Sequence, residues 1–295
     1  MSMKIKKSVG ERVFTVLNCI FMLVFIFITV YPIWYVLVAS FSDSNALIGN
    51  MSLLFKPVNF TLDAYKMMIK NPMILVGYKN TLIILVIAVT LNMFLTALGA
   101  YFMSRKNVMF KKPITLLIIF TMYFSGGLIP VYLNVKSLGL LDTYAALILP
   151  VAINTFNLII MRTAFASIPE SLEESARLDG AGHFRLLFQI ILPLSKATVA
   201  VILLYYAVEH WNSWFNAMIY LNDRNKFPLQ LVLQEILIQN DTSSMTQMVS
   251  AGDSSSVGET VKYAVIIVSS LPIFCIYPFI QKYFEKGVMI GAVKE

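Results

Sequence analysis

The sequence predicts an all-α membrane protein with six transmembrane helices and a helix–turn–helix loop at the cytoplasmic surface. Two observations carry the membrane assignment. Hydrophobic residues make up 58% of the 295 residues and charged residues only 13%, whereas a soluble domain carries roughly 25% charged residues. The mean hydropathy is +0.74, and six stretches have about the length of a bilayer-spanning helix. This composition excludes a soluble enzyme, a disordered chain and a disulfide-stapled scaffold.

Each transmembrane helix is assigned to a stretch with the roughly 20 apolar residues needed to cross a bilayer. The stretches are 13–41, 81–103, 114–133, 143–161, 197–221 and 263–284. The first begins too late and runs too long for a cleaved signal peptide, so we expect it to be retained. The third is interrupted by Ser125-Gly126-Gly127 and by Pro130, and membrane helices tolerate such breaks where neighbouring helices satisfy the backbone.

The distribution of positive charge orients these helices. With the N-terminus inside, the inner segments carry 15 Lys and Arg in 70 residues, and the outer segments carry 8 in 89. The short segment 104–112 has four basic residues and no acidic one, which marks it as cytoplasmic. Both termini are therefore expected in the cytoplasm, with residues 1–12 as the N-terminal segment, 13–284 as the membrane domain and 285–295 as the tail.

The inner loop 162–196 carries signals for a short surface helix. Ser171 and Glu174 fit a capping box, which predicts that the helix begins at Ser171. Glu173 and Arg177 stand four residues apart with the acid first, the more favourable order for an ion pair along a helix. The loop is therefore expected to present carboxylates and a guanidinium group at the cytoplasmic surface.

A turn and a second helix complete this loop. Either Gly180 or Gly182 can adopt the left-handed conformation that ends a helix. An apolar face at helical spacing follows, formed by Phe184, Leu187, Phe188 and Ile191. These helix signals alone also fit an interfacial linker between two membrane helices.

The spacing within the loop resembles a family signature. Glu174-Ser175-Ala176, Gly180, Ile190 and Leu192-Pro193 stand at the intervals of the "EAA" motif in the permease subunits of binding-protein-dependent ABC importers. Ser175 departs from the motif, which usually has Ala at this position. With the six apolar stretches and the ending Gly287–Lys294, the chain is similar to the carbohydrate-uptake branch. Within it, the chain resembles the shorter maltose-type permease and the permeases of oligosaccharide and aldouronate systems.

The resemblance implies that the loop transmits movement. The short helix would dock into a cleft on a cytoplasmic ATPase, and closure of the ATPase dimer would move a permease pair between inward- and outward-facing states. The residues that the resemblance assigns to this coupling are Glu173, Glu174, Ser175, Ala176, Arg177, Asp179, Gly180, Ile190, Leu192 and Pro193.

The resemblance also implies the surroundings of the chain. The expected partners are a second homologous permease subunit, two cytoplasmic ATPase subunits, an extracytoplasmic solute-binding protein, a sugar substrate and the lipid of a bacterial cytoplasmic (inner) membrane, with no nucleic acid. The chain is expected to be no enzyme and to bind no cofactor or metal, because ATP and Mg would be held by the ATPases. In agreement, the sequence has no G-x-x-x-x-G-K-[ST] phosphate-binding loop.

Polar residues in the fourth and fifth apolar stretches are candidates for a substrate pathway. An ionisable residue inside a membrane helix indicates a functional site, and aromatic, amide and carboxylate groups together suit a sugar. The candidates are Asn154, Asn157, Tyr206, Glu209, Asn212, Trp214 and Asn216, with Asn92 as a further one. The alternative is that they join helices or form an aromatic belt. His210 is expected to be neutral and hydrogen-bonded.

The outer loop 222–258 is long and polar, with Asp253-Ser254-Ser255-Ser256 near its end. By resemblance, its tip would enter the substrate cleft of the docked binding protein and help to release the sugar. The alternative is a solvated loop.

Other classes of function require features that the sequence lacks. A self-sufficient secondary transporter would need inverted repeats or a relay of membrane-buried charge, and only Glu209 qualifies. An intramembrane enzyme would need a paired nucleophile and base or an H-E-x-x-H site, and neither is recognisable. An importer permease for a different small solute stays open as an alternative.

Overall fold

The regular structure of the described residues is entirely helical. The computed structural model describes residues 8–48, 53–106, 108–247 and 256–292, and no strand occurs among them. The predicted all-α class is therefore confirmed. The α-helices are α1 (Val9–Ser40), α2 (Ser44–Ile48), α3 (Asp63–Lys70), α4 (Pro72–Ser104), α5 (Lys111–Tyr123), α6 (Leu128–Ser137), α7 (Ala145–Ile148), α8 (Thr155–Ala166), α9 (Glu170–Leu178), α10 (His183–Arg185), α11 (Leu192–Leu194), α12 (Lys196–Trp211), α13 (Phe215–Tyr220), α14 (Leu229–Gln247) and α15 (Ser256–Ala292). Leu149–Val151 and Arg224–Lys226 are 3₁₀ turns, and Leu186–Ile191 is a π-helix.

Three helices are long and apolar enough to cross a membrane, namely α1, α4 and the Thr260–Pro278 part of α15. Three further pairs meet the same requirement together but bend at a short break. These pairs are α5 with α6 at 113°, Ala145–Val151 with α8 at 52°, and His183–Leu194 with α12 at 89°. By length and composition, the described residues hold three membrane-crossing helices, or up to six if each bent pair is one span.

The third predicted stretch, 114–133, is not one continuous helix. α5 ends at Tyr123, α6 begins at Leu128, and Gly127 between them adopts a positive φ of 83°. Glycine reaches this φ readily because it has no Cβ. The interruption therefore turns the chain sharply instead of being absorbed into a straight span.

The fifth predicted stretch, 197–221, is also broken. α12 ends at Trp211, and the Asn212 side chain donates a 3.0 Å hydrogen bond to the Val208 carbonyl oxygen. An asparagine side chain competes in this way for backbone groups, which favours a helix end over a continuing helix. The polar residues from Asn212 onward therefore lie beyond α12.

The described parts of Met1–Asn71 and Ile236–Ser270 form one compact unit. Its buried apolar cluster consists of Val38, Ala39, Leu47 and Leu54, packed against Tyr35, Val58 and Tyr263. Towards its N-terminus α1 leaves this cluster, and its most apolar 18-residue window is 0% buried. So large an apolar surface suits contact with lipid or with another protein.

The described parts of Pro72–Glu235 and Leu271–Glu295 form the second unit. α4 is its central helix and packs against both α8 and α12. Small residues on α4, including Ala97 and Ala100, allow neighbouring helices to approach closely. The buried cluster consists of Ala97, Ala100, Tyr101, Met103, Leu158, Met161, Phe165, Leu187, Ile191, Ile202 and Tyr206.

The N-terminal part of α4 holds the beginning of the predicted outer loop. The Thr81 hydroxyl accepts a 2.8 Å hydrogen bond from the Leu229 N–H, and the Asn80 amide donates to the carbonyl oxygens of Asn225 and Phe227 at 2.7 and 3.0 Å. The loop 222–258 thus starts as a fixed segment and continues as α14. Asp253, Ser254 and Ser255 near the end of this loop, and the end of the predicted tail from residue 293, lie outside the described residues.

Candidate functional site

The first helix of the predicted coupling loop is α9, which begins at Glu170. Pro169 occupies its N-cap position with φ −56°, and no side chain caps the helix. Proline holds φ near the helical value by itself, so the helix begins one residue earlier than predicted. Ser171 then lies inside the first turn, and the capping box assigned to Ser171 and Glu174 is wrong.

α9 packs against the rest of the protein along one narrow side. Ala176 is its buried residue, whereas the Leu178 residue is 89% exposed. The predicted ion pair between Glu173 and Arg177 is confirmed, with 2.8 Å between the guanidinium nitrogen and the carboxylate oxygen. The residues of the helix that face away from the protein are Leu172, Glu174, Ser175, Arg177 and Leu178, followed by the exposed Asp179.

Gly180 ends this helix in the left-handed conformation. Its φ is +81°, while Gly182 has an ordinary φ of −74°. The Gly180 N–H donates to the Arg177 carbonyl oxygen at 3.0 Å, and the Ala181 N–H donates to that of Ala176 at 2.9 Å. This pair of bonds is a Schellman motif, and it resolves the choice between the two glycines.

The second half of the loop is helical but contains the π-helix Leu186–Ile191. Leu187 and Ile191 of the predicted apolar face are buried, whereas Phe184 is 68% and Phe188 44% exposed. The π-helix closes its hydrogen bonds over five residues, so the apolar face does not follow α-helical spacing. Leu186 is buried in addition. Of the three remaining signature residues, Ile190 and Leu192 are partly buried and Pro193 is exposed.

Arg105 anchors the loop to the end of α4. One of its terminal nitrogens forms an ion pair with Glu173, and the other donates to the Phe165 carbonyl oxygen at 3.3 Å. Its Nε donates to the Ser104 hydroxyl at 3.1 Å, and its guanidinium carbon lies 5.0 Å from the Tyr101 ring centroid. The Arg105 side chain is only 16% exposed, so a planar, buried fork of donors holds α9 in place.

Tyr101 holds the second half of the loop. Its hydroxyl lies 2.8 Å from Nδ1 of His183, and the two rings meet edge to face. Arg105, Tyr101 and His183 are not among the site residues predicted from the sequence. A signal was present, because Tyr101 and Arg105 stand four residues apart at the end of the second apolar stretch, a spacing at which side chains can contact each other.

Several basic residues lie close to Arg105. Burial lowers the pKa of Arg105, and the nearby Arg177 acts in the same direction. Burial likewise lowers the pKa of Lys111, with Arg162 and Arg105 adding to the effect. An arginine side chain stays charged despite such a shift. The Glu173 carboxylate therefore has a positive charge on either side, from Arg105 and from Arg177.

Four of the predicted pathway residues lie together where α8 and α12 meet. Asn154 caps α8 by accepting hydrogen bonds from the N–H groups of Phe156 and Asn157 at 3.0 and 3.3 Å. The Asn154 side chain lies near the Glu209 carboxyl, and the Asn154 backbone N–H donates to the Tyr206 hydroxyl at 3.0 Å. Asn157 and Tyr206 are buried, and Glu209 is exposed.

A second polar pair lies nearby in the same unit. The Asn92 amide nitrogen lies 2.9 Å from Nε2 of His210, and both residues are buried. With the amide as donor, Nε2 accepts the hydrogen bond and the ring is neutral. The predicted hydrogen-bonded state of His210 is thus confirmed.

The three remaining pathway candidates follow the end of α12. Asn212 uses its side chain to cap that helix, and Trp214 packs edge to face against Phe215 with 5.7 Å between ring centroids. Asn216 is partly buried in α13. Their described contacts do not reach the Asn154–Glu209 cluster, and their place in a pathway stays a prediction.

An ion pair near the predicted outer segments is not among the site residues predicted from the sequence. Lys226 Nζ lies 2.6 Å from a carboxylate oxygen of Asp142, and the N–H groups of Asn222 and Asp223 donate to the other oxygen at 3.0 Å each. Lys226 first, and these backbone N–H groups next, lower the pKa of Asp142 from 3.8 to about 2. Asp142 has a positive φ of 57°, so the contacts hold a turn that few residues adopt.

These features define a helical membrane protein with an exposed surface helix fixed to a central membrane helix by a buried arginine. Residues 1–290 match the family model described as "Binding-protein-dependent transport system inner membrane component". The chain belongs to this family.

Similar proteins cover nearly the whole chain. The "Polygalacturonan/rhamnogalacturonan transport system permease protein YtcP" of Bacillus subtilis (strain 168) is 44% identical, over 96% of this chain and 99% of that protein. The "Protein LplC" of the same organism is 43% identical over 96% and 95%. Among solved structures, a chain of a bacterial ABC transporter involved in the import of the acidic polysaccharide alginate has a TM-score of 0.86 and 33% identity. The match covers 95% of this chain and 100% of the alginate transporter chain.

Proposed function

We propose that this chain is a permease subunit of an ATP-driven importer that translocates oligosaccharides delivered by an extracytoplasmic binding protein. Its complex would contain a second homologous permease and two cytoplasmic ATPases, which hydrolyse the ATP. The family supports the transport function, and the names of the similar proteins support a carbohydrate substrate. Six membrane crossings with both termini in the cytoplasm are part of the proposal, supported by the density of positive charge in the inner segments.

The proposal rests on an exposed surface formed by Glu174 and Leu178 of α9 and by Phe184 in the second half of the loop, here called the coupling surface. Glu173 and Ala176 attach α9 to the rest of the protein. On the exposed side, Leu178 is 89% exposed, and Phe184 in the second half of the loop is 68% exposed. Apolar side chains of this size on a water-facing surface mark a contact with another protein. Glu174 lies on the same exposed part of α9 and supplies a charge for a basic partner.

A charge placed on this surface tests the proposal. Leu178→Glu should weaken binding of the ATPase subunits at least tenfold in co-purification from membranes and should abolish uptake. The matched control is Leu138→Glu, which changes another exposed leucine (64%) on the proposed outer side. That control should leave ATPase binding unchanged. Normal ATPase binding in Leu178→Glu would contradict the coupling surface.

The substrate class is proposed as oligosaccharides from acidic polysaccharides. Two of the similar proteins have such polymers in their names. The Asn154–Glu209 cluster supplies amide and carboxyl groups for sugar hydroxyls but no cation, so the acidic groups of the sugar would be bound by the binding protein or the second permease. Proteoliposomes of the complete importer should take up oligogalacturonides, and uptake of neutral maltodextrins alone would contradict the acidic class.

A further inference from the structure

The C-terminal end of α4 and the residue that follows it contact both halves of the coupling loop. Arg105, directly after the helix, contacts Glu173 of α9, and Tyr101 contacts His183 at the start of the second half. Tyr101 and Arg105 also contact each other, since the guanidinium group lies 5.0 Å from the ring centroid. The loop is therefore attached to α4 through side chains as well as to α8 and α12 through the backbone.

Arg105 is suited to this attachment in a way that other cations are not. Its Nε and both terminal nitrogens have three different acceptors, which are the Ser104 hydroxyl, the Glu173 carboxylate and the Phe165 carbonyl oxygen. A lysine has a single nitrogen and cannot bond to three acceptors spread over a planar fork. The Glu173 side chain is 14% exposed, so its charge depends on these arginine contacts.

We propose that Arg105 is a positioning residue that fixes α9 to the end of α4, so that α4 moves with the loop when the ATPases move it. The proposal deepens the proposed function and rests on it. α4 also carries Asn80 and Thr81, which hold the segment 225–229 by hydrogen bonds. A movement of α4 therefore reaches the outer segment that leads into α14.

The neighbouring ion pair provides the matched control. Lys106 Nζ lies 2.8 Å from the Glu170 carboxylate, but these side chains are 74% and 55% exposed. An exposed pair of this kind contributes little because water screens it. Lys106→Gln removes one positive charge from the same short segment without changing the buried fork.

The test measures the movement of α4 in the complete complex, without any substrate. Lys79→Cys, at an exposed position beside Asn80, is introduced after Cys19 and Cys275 are replaced by Ala. A membrane-impermeant thiol reagent then reports its labelling rate with and without Mg-ATP and vanadate. We expect ATP to change this rate, and Arg105→Gln to reduce the change at least fivefold in complexes that retain the ATPase subunits.

Variants that keep part of the contact separate positioning from a general loss of structure. Arg105→Lys keeps the charge opposite Glu173 but not the three-acceptor fork, so it should recover part of the ATP-dependent change. Glu173→Gln should reduce the change as Arg105→Gln does, and Lys106→Gln should behave as wild type. An unchanged response in Arg105→Gln, no response in the wild type, or a response in Arg105→Lys no larger than that in Arg105→Gln would each overturn the proposal. If Arg105→Gln fails to assemble, assembly with a partial response in Arg105→Lys supports it, and failure of Arg105→Lys overturns it.

The same complex distinguishes this proposal from the proposed function. If the coupling surface is wrong, Leu178→Glu leaves ATPase binding unchanged, whatever Arg105 does. If only the positioning by Arg105 is wrong, Leu178→Glu weakens ATPase binding while Arg105→Gln keeps the ATP-dependent labelling.

Discussion

The hydroxyl oxygens of Thr96 and Tyr206 lie 2.7 Å apart between α4 and α12, and both residues are 0% exposed. The Tyr206 hydroxyl also accepts a 3.0 Å hydrogen bond from the Asn154 N–H at the start of α8. One buried hydroxyl group therefore joins the three helices that form the centre of the second unit.

Tyr206→Phe should lower the stability of the protein without changing its affinity for substrate. The change leaves Thr96 and the Asn154 N–H without a buried partner, which costs about 1–3 kcal/mol. Thermal unfolding in detergent measures the loss, and Thr96→Val combined with Tyr206→Phe should cost less than the two single changes together. A raised KM for uptake at unchanged stability would instead place Tyr206 in the substrate pathway.

Glu174→Ala and Glu174→Gln should weaken ATPase binding to the same extent. Glu174 does not cap α9, so the loss of its charge is the feature common to both changes. Loss of one exposed charge pair is worth about 1 kcal/mol, or about fivefold in affinity. Titration of the purified ATPase against the permease pair in nanodiscs measures it. A defect in the Ala variant but not in the Gln variant would show that the side-chain amide suffices and that charge is unimportant.

Gly180→Ala should disturb the coupling loop more than Gly182→Ala. An added Cβ meets no atom within 4 Å at either glycine, so the variants differ mainly in the backbone. Gly180 has φ +81°, and an alanine there costs roughly 1–2 kcal/mol, whereas Gly182 has φ −74°. Uptake and ATPase binding should fall in Gly180→Ala, and Gly180→Asn should be milder because asparagine tolerates a positive φ. Equal behaviour of the two alanine variants would refute the argument.

The turn held by Asp142 should loosen in acid. Its pKa lies at about 2, below the ordinary 3.8, so its contribution to stability is present in full above about pH 4 and is lost as the pH falls towards 2. Asp142→Asn should therefore be less stable than the wild type at pH 6, and the difference should disappear between pH 4 and 2. Thermal unfolding at a series of pH values measures it, and a difference that does not depend on pH would contradict the assignment.

The all-α class and the short helix α9 could be predicted because their signals are local in the sequence. Apolar length predicts membrane helices, and the spacing of Glu173, Arg177 and Gly180 predicts a short helix that ends at a glycine. The start of that helix is harder to predict, since Ser171 carries a helix-start signal whereas Pro169, which lies at the N-cap, has no side chain that can cap a helix.

The anchor could not be predicted from the sequence in the same way. Arg105 and Glu173 are 68 residues apart, and a basic residue at the inner end of a membrane helix is already explained by topology. The Asp142–Lys226 pair joins residues 84 apart. Such contacts depend on which helices pack together, and apolar periodicity does not specify the neighbours of a helix.

The π-helix Leu186–Ile191 affects how a change in the number of residues in the coupling loop would rotate one helical segment relative to the next. Each residue turns an α-helix by about 100°, and a π-helical turn holds an additional residue compared with an α-helical one. Deletion of one residue within this turn would therefore be accommodated by its conversion to the α form, and the segments on either side would keep nearly the same helical phase. Insertion of a residue, or deletion of a second one, would instead rotate everything before the turn by about 100° relative to the helix after it. Among related chains, an interval from Gly180 to Pro193 that is one residue shorter should be tolerated, whereas other changes in its length should be rare.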